Sequence, residues 1–414
     1  MITRFYSSNK ALQISLFYLM ITRLATSLIA EDWLGFRGSR GDGVSTDTSV
    51  PHRLDSQSIL WSVNLPGRGL SSPVIVGDRL FVTASSGARL DRLHVLCFNI
   101  SDGSLRWERQ FWATGRTMTH EKISPAAPTP VSDGKTLFAL FSSNDCIALD
   151  LEGNLLWFRG LGRDYVNASN SLGMSSSLVF ADGVLVTQVE NDSESFTAGL
   201  DAQTGLNRWK LDRPKRANWT SPTVYRERSG QVRILLQSFQ GVTAVDPASG
   251  RILWNYSEGA STVPSAIWSD GRLYLPSNGL TVLELSPDGS VPKQVWRSAQ
   301  LRPGTPSPVV LGGRVYSLND GGILTCGDGS DGKRLWQLRI KGPFSATPIS
   351  AGGRLYCVNE VGLVQVVDPS QNEGTVTSEL ALGQTVIGTP SISTGSLFVR
   401  SDGMLWRIGT PSTR

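Results

Sequence analysis

The sequence predicts an all-β fold built from a repeated four-stranded sheet, and three observations lead to this prediction. Gly and Pro are abundant, 43 and 21 of 414 residues, and evenly spread, which favours many short strands over helices. Apolar runs of about four to six residues alternate with tight turns along the chain. A figure made of an apolar run ending in Asp, a Gly-containing turn and a Trp recurs at regular intervals.

The recurring figure is clearest at residues 199–209. A short apolar run ends at Asp201, the chain turns at Thr204 and Gly205, and Trp209 follows. The figure returns at residues 244–254 and, less regularly, at 99–107, 150–157 and 328–336. We interpret it as the third strand, tight turn and fourth strand of one blade of a β-propeller. The fourth-strand Trp residues recur about 46 residues apart, as four-stranded blades require, at positions 61, 107, 157, 209, 254, 296 and 336.

The sixth unit shows the order of elements within a blade. Residues 307–310 form the innermost strand, and Gly312 and Gly313 form a tight turn, since Gly accepts positive φ without steric cost. The second, third and outermost strands follow at residues 314–318, 323–326 and 334–338.

The count of units predicts how the ring closes. Eight units begin at Ser72-Pro73, Ala127-Pro128, Ser176-Ser177, Ser221-Pro222, Val263-Pro264, Ser307-Pro308, Thr347-Pro348 and Thr389-Pro390. The last unit lacks its fourth strand, and the strand around Trp61 lacks the first three. We therefore predict one eight-bladed β-propeller over residues 58–410, in which the N-terminal strand near Trp61 completes the last blade and removes the exposed sheet edges. The seventh unit has no Trp and places residues 378–380 at that position.

The repeated Trp residues are predicted to be structural. Twisted blades leave a wedge near the rim that an indole fills, and a Gly on the next blade lets the ring lie against the backbone. The four cysteines lie within or beside predicted strands without a CxxC pair, at Cys97, Cys146, Cys326 and Cys357. Two of them, Cys97 and Cys326, take the place of Ala244 in its repeat, where a small buried residue is expected. The sequence leaves disulfide pairing open.

Residues 1–30 are predicted to be an export signal, with basic residues, an apolar run at residues 14–21 and cleavage near Ala30. The apolar run is too short to span a bilayer. A cytoplasmic tail or a misassigned start is the alternative. No Cys precedes Cys97, so we expect an exported protein of the periplasm or envelope that is not a lipoprotein.

Residues 31–57 are predicted to be an irregular segment before the propeller. The formal net charge of +4 is small, without clustered Lys and Arg, so a nucleic-acid partner is not expected. We also expect no membrane span, and a monomer.

The repeat resembles that of pyrroloquinoline-quinone-type (PQQ) propellers, from about Ile59 to Gly409. Proteins known by this repeat are quinoprotein dehydrogenases and the outer-membrane assembly propeller BamB. The opening at residues 33–38, with Asp42 to Ser45, looks like the start of a group of exported bacterial PQQ-repeat proteins of undefined function. The chain departs from both kinds of relative. It has neither the adjacent Cys pair of many quinoprotein alcohol dehydrogenases nor their calcium-ligand motifs, and it lacks the lipidated Cys of BamB.

The loops that join the fourth strand of one blade to the first strand of the next crowd one mouth of a propeller. Two of these loops are long, at residues 111–122 and 162–174, and a third at residues 212–219 is basic and aromatic. Long loops on a rigid scaffold often carry function. Side chains suited to a sugar-like or anionic ligand are Arg116, His120, Arg163, Tyr165, Asn167, Arg216 and Trp219. Alternatively, these are solvated rim residues.

No catalytic or metal-binding motif is recognisable. The three His residues form no HExxH or His-x-His pattern, and no carboxylates have calcium-loop spacing. A Ser nucleophile would need a strand-to-helix elbow, which Ser175 lacks.

Three functions remain open at this point. The first is a non-catalytic scaffold without a cofactor, which binds an envelope protein or a polysaccharide as BamB-like propellers do. The second is an oxidoreductase that uses PQQ with calcium, as the resemblance to quinoproteins implies, with Glu121, Asp164 and Asn167 as the candidate calcium ligands. The third is a carbohydrate-binding or sensing module. Whether the protein is an enzyme is left open.

Overall fold

The computed structural model describes Met1 and residues 31–411, apart from residues 170, 171, 228, 287–289 and 371. Residues 2–30 of the predicted export signal therefore lie outside the described residues. The described chain forms eight four-stranded antiparallel sheets, which confirms the prediction of an eight-bladed β-propeller.

Seven blades use four consecutive strands, ordered from the channel outwards. Blades 1 to 4 consist of β2 (Val74–Val76), β3 (Arg79–Ser86), β4 (Arg92–Asn99), β5 (Leu105–Trp112); β6 (Val131–Ser132), β7 (Thr136–Leu140), β8 (Asp145–Asp150), β9 (Leu155–Gly160); β10 (Val179–Ala181), β11 (Val184–Val189), β12 (Phe196–Asp201), β13 (Asn207–Asp212); and β14 (Thr223–Arg226), β15 (Val232–Ser238), β16 (Gly241–Val245), β17 (Ile252–Tyr256).

Blades 5 to 7 consist of β18 (Ile267–Ser269), β19 (Arg272–Ser277), β20 (Gly279–Glu284), β21 (Lys293–Ser298); β22 (Val309–Leu311), β23 (Arg314–Leu318), β24 (Ile323–Asp328), β25 (Arg334–Arg339); and β26 (Ile349–Ala351), β27 (Arg354–Val358), β28 (Leu363–Asp368), β29 (Thr375–Ala381). Blade 8 consists of β30 (Ser391–Ser393), β31 (Ser396–Arg400), β32 (Met404–Gly409) and β1 (Ile59–Asn64). The helical elements are the single turns α1 (Leu161–Asp164) and a 3-10 turn at Ser56–Ser58.

The ring closes through the first strand, as predicted. β1 pairs antiparallel with β32, with Trp61 opposite Arg407 and Val63 opposite Leu405. This pairing makes β1 the outermost strand of blade 8. The first and last parts of the propeller are therefore held by one hydrogen-bonded sheet, and blade 8 carries no unpaired edge at β32.

Neighbouring blades are wedged together by an indole that lies on a glycine. In the contact between blades 2 and 3, Gly205 has φ +72°, and a Cβ added there would lie 2.8 Å from the Trp157 ring. The indole Nε1 of Trp157 donates to the carbonyl of Ala202 at 2.9 Å in the same turn. The predicted Trp-on-Gly contact recurs at Trp61 with Gly103, Trp107 with Gly153, Trp209 with Gly250, Trp296 with Gly332 and Trp336 with Gly374.

Blade 7 has no Trp because the next blade has no turn on which the indole could lie. In blade 8 the third strand β32 and the outermost strand β1 come from opposite ends of the propeller. No turn joins these two strands, so no turn glycine can receive an indole from blade 7. Ser378 stands opposite Val366 at the Trp position of blade 7. Its hydroxyl accepts the Leu54 amide N–H at 2.7 Å and donates to the Leu54 carbonyl at 3.1 Å. The N-terminal segment therefore replaces the indole at this junction.

Residues 31–58, the N-terminal segment, lie across the lower face, where the turns between the first and second strands of each blade lie. Trp33 exchanges backbone hydrogen bonds with Ile75 in blade 1 at 2.9 and 3.0 Å. Farther along, Ser350 in blade 7 bonds to the backbone of Gly43 and Ser45. The Asp47 carboxylate accepts the Gly395 amide of blade 8 at 2.6 Å. This segment therefore closes the lower mouth of the channel.

The four cysteines are buried and free. Cys97 stands opposite Trp107 and Cys326 opposite Trp336, the place that Ala244 takes opposite Trp254, so their predicted position in the repeat is confirmed. Burial raises the pKa of the Cys146 and Cys357 thiols to about 12. A thiol protonated at neutral pH is a poor nucleophile, so these residues serve as packing groups.

Replacing Gly205 by Ala should test the wedge. Gly205→Ala and Gly313→Ala both force Ala into positive φ, at +72° and +74°, which costs about 1–2 kcal/mol. Only Gly205→Ala also displaces an indole, since no atom lies within 4 Å of a Cβ at Gly313. We expect chemical denaturation to show a further loss of about 1–3 kcal/mol for Gly205→Ala. Equal losses in the two variants would contradict this account of the contact.

Candidate functional site

The channel opens at the upper face, where loops join the outermost strand of one blade to the innermost strand of the next. A cavity of about 570 Å³, the central cavity, occupies this end of the channel. Phe36 of the N-terminal segment contributes to its lining, and Trp219 and Ile123 do so from the upper loops. The cavity is thus bounded by the closed lower mouth and the upper loops.

A ring of hydroxyl side chains encircles the central cavity. Each blade contributes one Ser or Thr just before its innermost strand, at Ser72, Thr129, Ser177, Ser221, Ser265, Ser307, Thr347 and Thr389. The backbone N–H of each of the first seven donates to the hydroxyl of the next, at 2.9 to 3.1 Å. We call these eight residues the hydroxyl ring. Seven of the eight oxygens accept a backbone N–H, and the Ser72 hydroxyl has no partner among the described residues. The ring presents neutral hydroxyl groups rather than charges.

The hydroxyl ring corrects three predicted blade starts. The sequence placed two of them at Ala127-Pro128 and Val263-Pro264, but the equivalent residues in the ring are Thr129 and Ser265, two positions later. The start predicted at Ser176-Ser177 moves by one position to Ser177. In blade 2 two successive X-Pro pairs occur, and the first was mistaken for the repeat. A Ser or Thr two residues before the innermost strand is the feature of the sequence that would have identified these starts correctly.

An ion pair spans part of the upper mouth. Lys122, from the loop between blades 1 and 2, lies 2.9 Å from Glu360 of blade 7. The Glu360 side chain is only 12% exposed and also accepts the Ser345 hydroxyl at 2.7 Å. The hydrogen bond with Glu360 raises the pKa of the Lys122 amine above its ordinary value. The amine and the carboxylate neutralise each other, so neither is left as an isolated charge.

Trp219 forms one wall of the cavity and is held from behind. Its indole Nε1 donates to the Gly173 carbonyl at 2.8 Å. The preceding residue, Asn218, donates to the carboxylate of Glu190 at 2.8 Å, and Arg213 lies 2.6 Å from that carboxylate. Burial raises the pKa of Glu190, and the Arg213 guanidinium opposes this shift. The buried pair therefore fixes the loop that carries Trp219.

The structure distributes the seven predicted binding residues among several places. His120 and Trp219 line the central cavity. Arg116 and Arg163 line a neighbouring cleft of about 230 Å³. The other three are placed as follows: Tyr165 packs on Phe196 with ring centroids 4.5 Å apart, Arg216 lies over the Phe239 ring at 5.2 Å, and Asn167 is exposed.

The residues present do not fit a PQQ–calcium pair in the central cavity. Calcium needs six to eight oxygen ligands around one point. Asp164 instead pairs with Arg159 at 2.8 Å, Glu121 and Asn167 are exposed, and none of the three lines the cavity. Among the described residues, no group of three His, Cys, Asp or Glu side chains could hold a metal ion.

The comparison with protein families decides the relationship. A family model described as outer membrane protein assembly factor BamB matches residues 44–198, 167–292 and 292–377. The chain belongs to this BamB family of PQQ-repeat propellers. The prediction of a PQQ-repeat, BamB-like family is therefore confirmed.

Relatives of the BamB-family chain include both dehydrogenases and assembly factors. A polyvinylalcohol dehydrogenase of Sphingopyxis is 25% identical over 47% of this chain and 34% of its own length. A BamB of Moranella endobia is 24% identical over 41% of this chain and 40% of its own length. The matches thus span well under half of either relative. A europium-containing methanol dehydrogenase structure has a TM-score of 0.69 at 12% identity, over 92% of this chain and 98% of that one, which shows the fold alone.

Sequence reasoning missed the contacts of the hydroxyl ring and the roles of Phe36 and Glu360. Six of the eight ring residues stand at the predicted unit starts, but nothing in the sequence showed that their hydroxyls line one cavity and accept the amides of neighbouring blades. Phe36 and Glu360 lie outside the three predicted loops, at residues 111–122, 162–174 and 212–219, and only the closed ring brings them to the cavity.

Glu190→Ala should test the support of Trp219. Removing the carboxylate leaves Arg213 buried without its partner, which typically costs about 3–5 kcal/mol. The control is Glu152→Ala, which breaks an exposed pair with Arg79 at 2.6 Å and should cost about 1 kcal/mol or less. Thermal and urea unfolding would measure both. A loss for Glu190→Ala no larger than that of the control would mean that the buried pair does not support this loop.

Proposed function

We propose that this protein is a non-catalytic binding propeller of the cell envelope whose upper face and central cavity hold a segment of another envelope protein. The cavity carries the proposal, because most of its polar lining is a ring of neutral hydroxyls and its spanning Lys122–Glu360 pair is self-neutralised. Asp320 adds one further carboxylate, which accepts the Thr305 amide N–H at 2.6 Å. Such a lining suits a ligand that is rich in hydrogen-bonding groups and has little net charge. It offers no arrangement of nucleophile, base and orienting acid for catalysis.

Exposed apolar side chains on the upper loops favour a protein partner. Val361 beside Glu360 is 63% exposed, and Leu172 and Val263 are partly exposed at the cavity itself. Met118 lies exposed on the loop between blades 1 and 2. Apolar groups around a pocket with a polar interior are typical of protein-binding sites.

Two observations support the envelope as the location. The N-terminal sequence has the pattern of an export signal, and the family is described by an outer-membrane assembly factor. Within the described residues, no helix has the length and hydropathy needed to cross a membrane. We infer a periplasmic or envelope protein that acts as a monomer.

A neutral, hydroxyl-rich polymer such as a polysaccharide is the second candidate ligand. The hydroxyl ring could exchange hydrogen bonds with such a chain, and Trp219 offers an aromatic face for a sugar ring. One relative is named for polyvinyl alcohol, itself a neutral polymer of hydroxyl groups. This carbohydrate-binding function would use the same cavity.

Charge substitutions at the mouth test protein binding. We expect Val263→Asp and Val361→Asp to weaken the partner's affinity by about tenfold or more, because each buries a carboxylate against an apolar surface, and tenfold corresponds to about 1.4 kcal/mol. The control is Ile252→Asp, at an exposed apolar residue that begins the outermost strand β17.

The measurement is photo-crosslinking in intact envelopes from a probe at residue 361, followed by mass spectrometry and binding titration with the captured protein. Equal affinities for the mouth variants and the control would contradict a protein-binding mouth. Titration of Trp fluorescence with neutral polysaccharide fragments, without any crosslinked protein, would favour the second candidate.

Addition of PQQ and calcium tests the oxidoreductase alternative. We expect neither quinone absorbance after gel filtration nor dye-linked oxidation of alcohols or sugars, because the described part of the chain brings no set of calcium ligands to the cavity. Activity that is lost in Asp164→Ala but kept in Asp212→Ala would reverse the proposal and make Asp164 a metal ligand. Asp212 is a matched exposed carboxylate whose partner is Lys210.

A further inference from the structure

Arg37, in the opening motif of residues 33–38, is a buried cation at the base of the channel. The residue is 2% exposed and has φ +63°, in the left-handed region. Gly38 follows with φ +84° against the Trp33 ring, and the Arg37 carbonyl accepts the Gly43 amide at 2.9 Å. The fold therefore holds this side chain inside the lower closure at a cost in backbone strain.

Most of the Arg37 guanidinium has no protein partner. Its Nη2 donates to the Ala266 carbonyl at 2.9 Å, but Nε and Nη1 are buried and have no partner among the described residues. The group lies over the Phe36 ring at 5.0 Å, which offsets part of the charge. The nearest acid, Asp42, instead bonds to Arg40 and to the Val44 amide. Burial lowers the pKa of Arg37 to about 10, so it stays charged at neutral pH.

Arg37 lines a small cavity. The cavity has a volume of about 80 Å³ and is lined by residues 34–41, which include Arg40, and by inner residues of blades 2, 3 and 4. It shares Phe36, Ser177 and Ser221 with the central cavity and so lies directly below its floor. This small volume excludes large ligands but admits a single small ion.

Arg400 shows how the same chain satisfies a buried guanidinium with its own oxygens. This residue is 1% exposed, and burial lowers its pKa to about 10 as well. Its Nε donates to the Ser401 carbonyl at 3.0 Å, and Nη1 donates to the Thr83 carbonyl at 2.8 Å. All its nitrogens have partners, whereas two of the Arg37 nitrogens do not.

We propose that Arg37 binds a small monovalent anion, of the size of chloride, in the 80 Å³ cavity. A buried charge is stable only when it is paired and hydrogen-bonded, and Arg37, which has two unpartnered donors, lines a cavity of small volume. The anion completes the hydrogen bonding of Arg37 and neutralises the floor of the central cavity. It also ties the N-terminal segment to blades 3 and 4. The proposal is independent of what binds at the upper mouth.

Crystals of the full chain grown in sodium bromide test the site directly. Bromide has an anomalous signal that water lacks, and we expect a peak within hydrogen-bonding distance of Arg37 Nε and Nη1. Arg400 is the internal control, because its donors are already used and no peak is expected there. Density at Arg37 without an anomalous signal at saturating bromide would identify waters and overturn the proposal.

Unfolding in solution provides the second measurement. A ligand that binds only the folded state stabilises it in proportion to ln(1 + [L]/Kd). The urea midpoint of the wild type should therefore rise more in sodium chloride than in sodium gluconate of equal ionic strength. Arg37→Met should lose this difference, and Arg53→Met, at an exposed arginine of the same segment that does not line the cavity, should keep it. Equal responses of wild type and Arg37→Met would contradict anion binding, and if Arg37→Met does not fold, the bromide peak decides.

Discussion

The contact on which the structure depends is an indole of one blade lying on a turn glycine of the next. At Trp157 the ring approaches Gly205 so closely that a methyl group would collide with it, and the indole N–H binds a carbonyl of the same turn. The contact therefore joins burial, hydrogen bonding and a fixed backbone conformation. Its repetition sets the angle between neighbouring blades, and eight such angles close the ring around a channel. The cavity exists because this angle is fixed.

The seam of the ring obeys the same constraint by a different means. Since β1 and β32 come from opposite ends of the propeller, blade 8 has no turn to receive an indole from blade 7. Ser378 and the backbone of Leu54 fill that place with polar contacts. Leu54 belongs to the N-terminal segment, which continues across the lower face. The same segment therefore completes the junction between blades 7 and 8 and closes the lower mouth of the channel. The upper mouth is left as the open face of the cavity.

The lining of the central cavity is mostly polar and neutral, with the Lys122–Glu360 pair and Asp320 as its amine and carboxylate groups. The hydroxyl ring arises because each blade begins its innermost strand at the same height, where a hydroxyl can accept the amide of the preceding blade. Eight equivalent positions give near-symmetry, which suits a neutral group better than a reaction that needs different residues in different roles. Asymmetry enters from the loops and the lower closure, through Trp219, Glu360 and Arg37.

The sequence by itself determined the fold, the number of blades and the strand that closes them, because strand periodicity, turn glycines and Trp spacing are local signals that survive in each repeat. It also identified the loops that carry His120 and Trp219. Only the tertiary structure decided which side chains share the cavity. The hydroxyl ring, the pair of Lys122 with Glu360 and the burial of Arg37 join residues far apart in the chain. The hydroxyls recur once per blade in the sequence, but that they share one cavity, and that the other two groups meet their partners, follows only when the ring has closed.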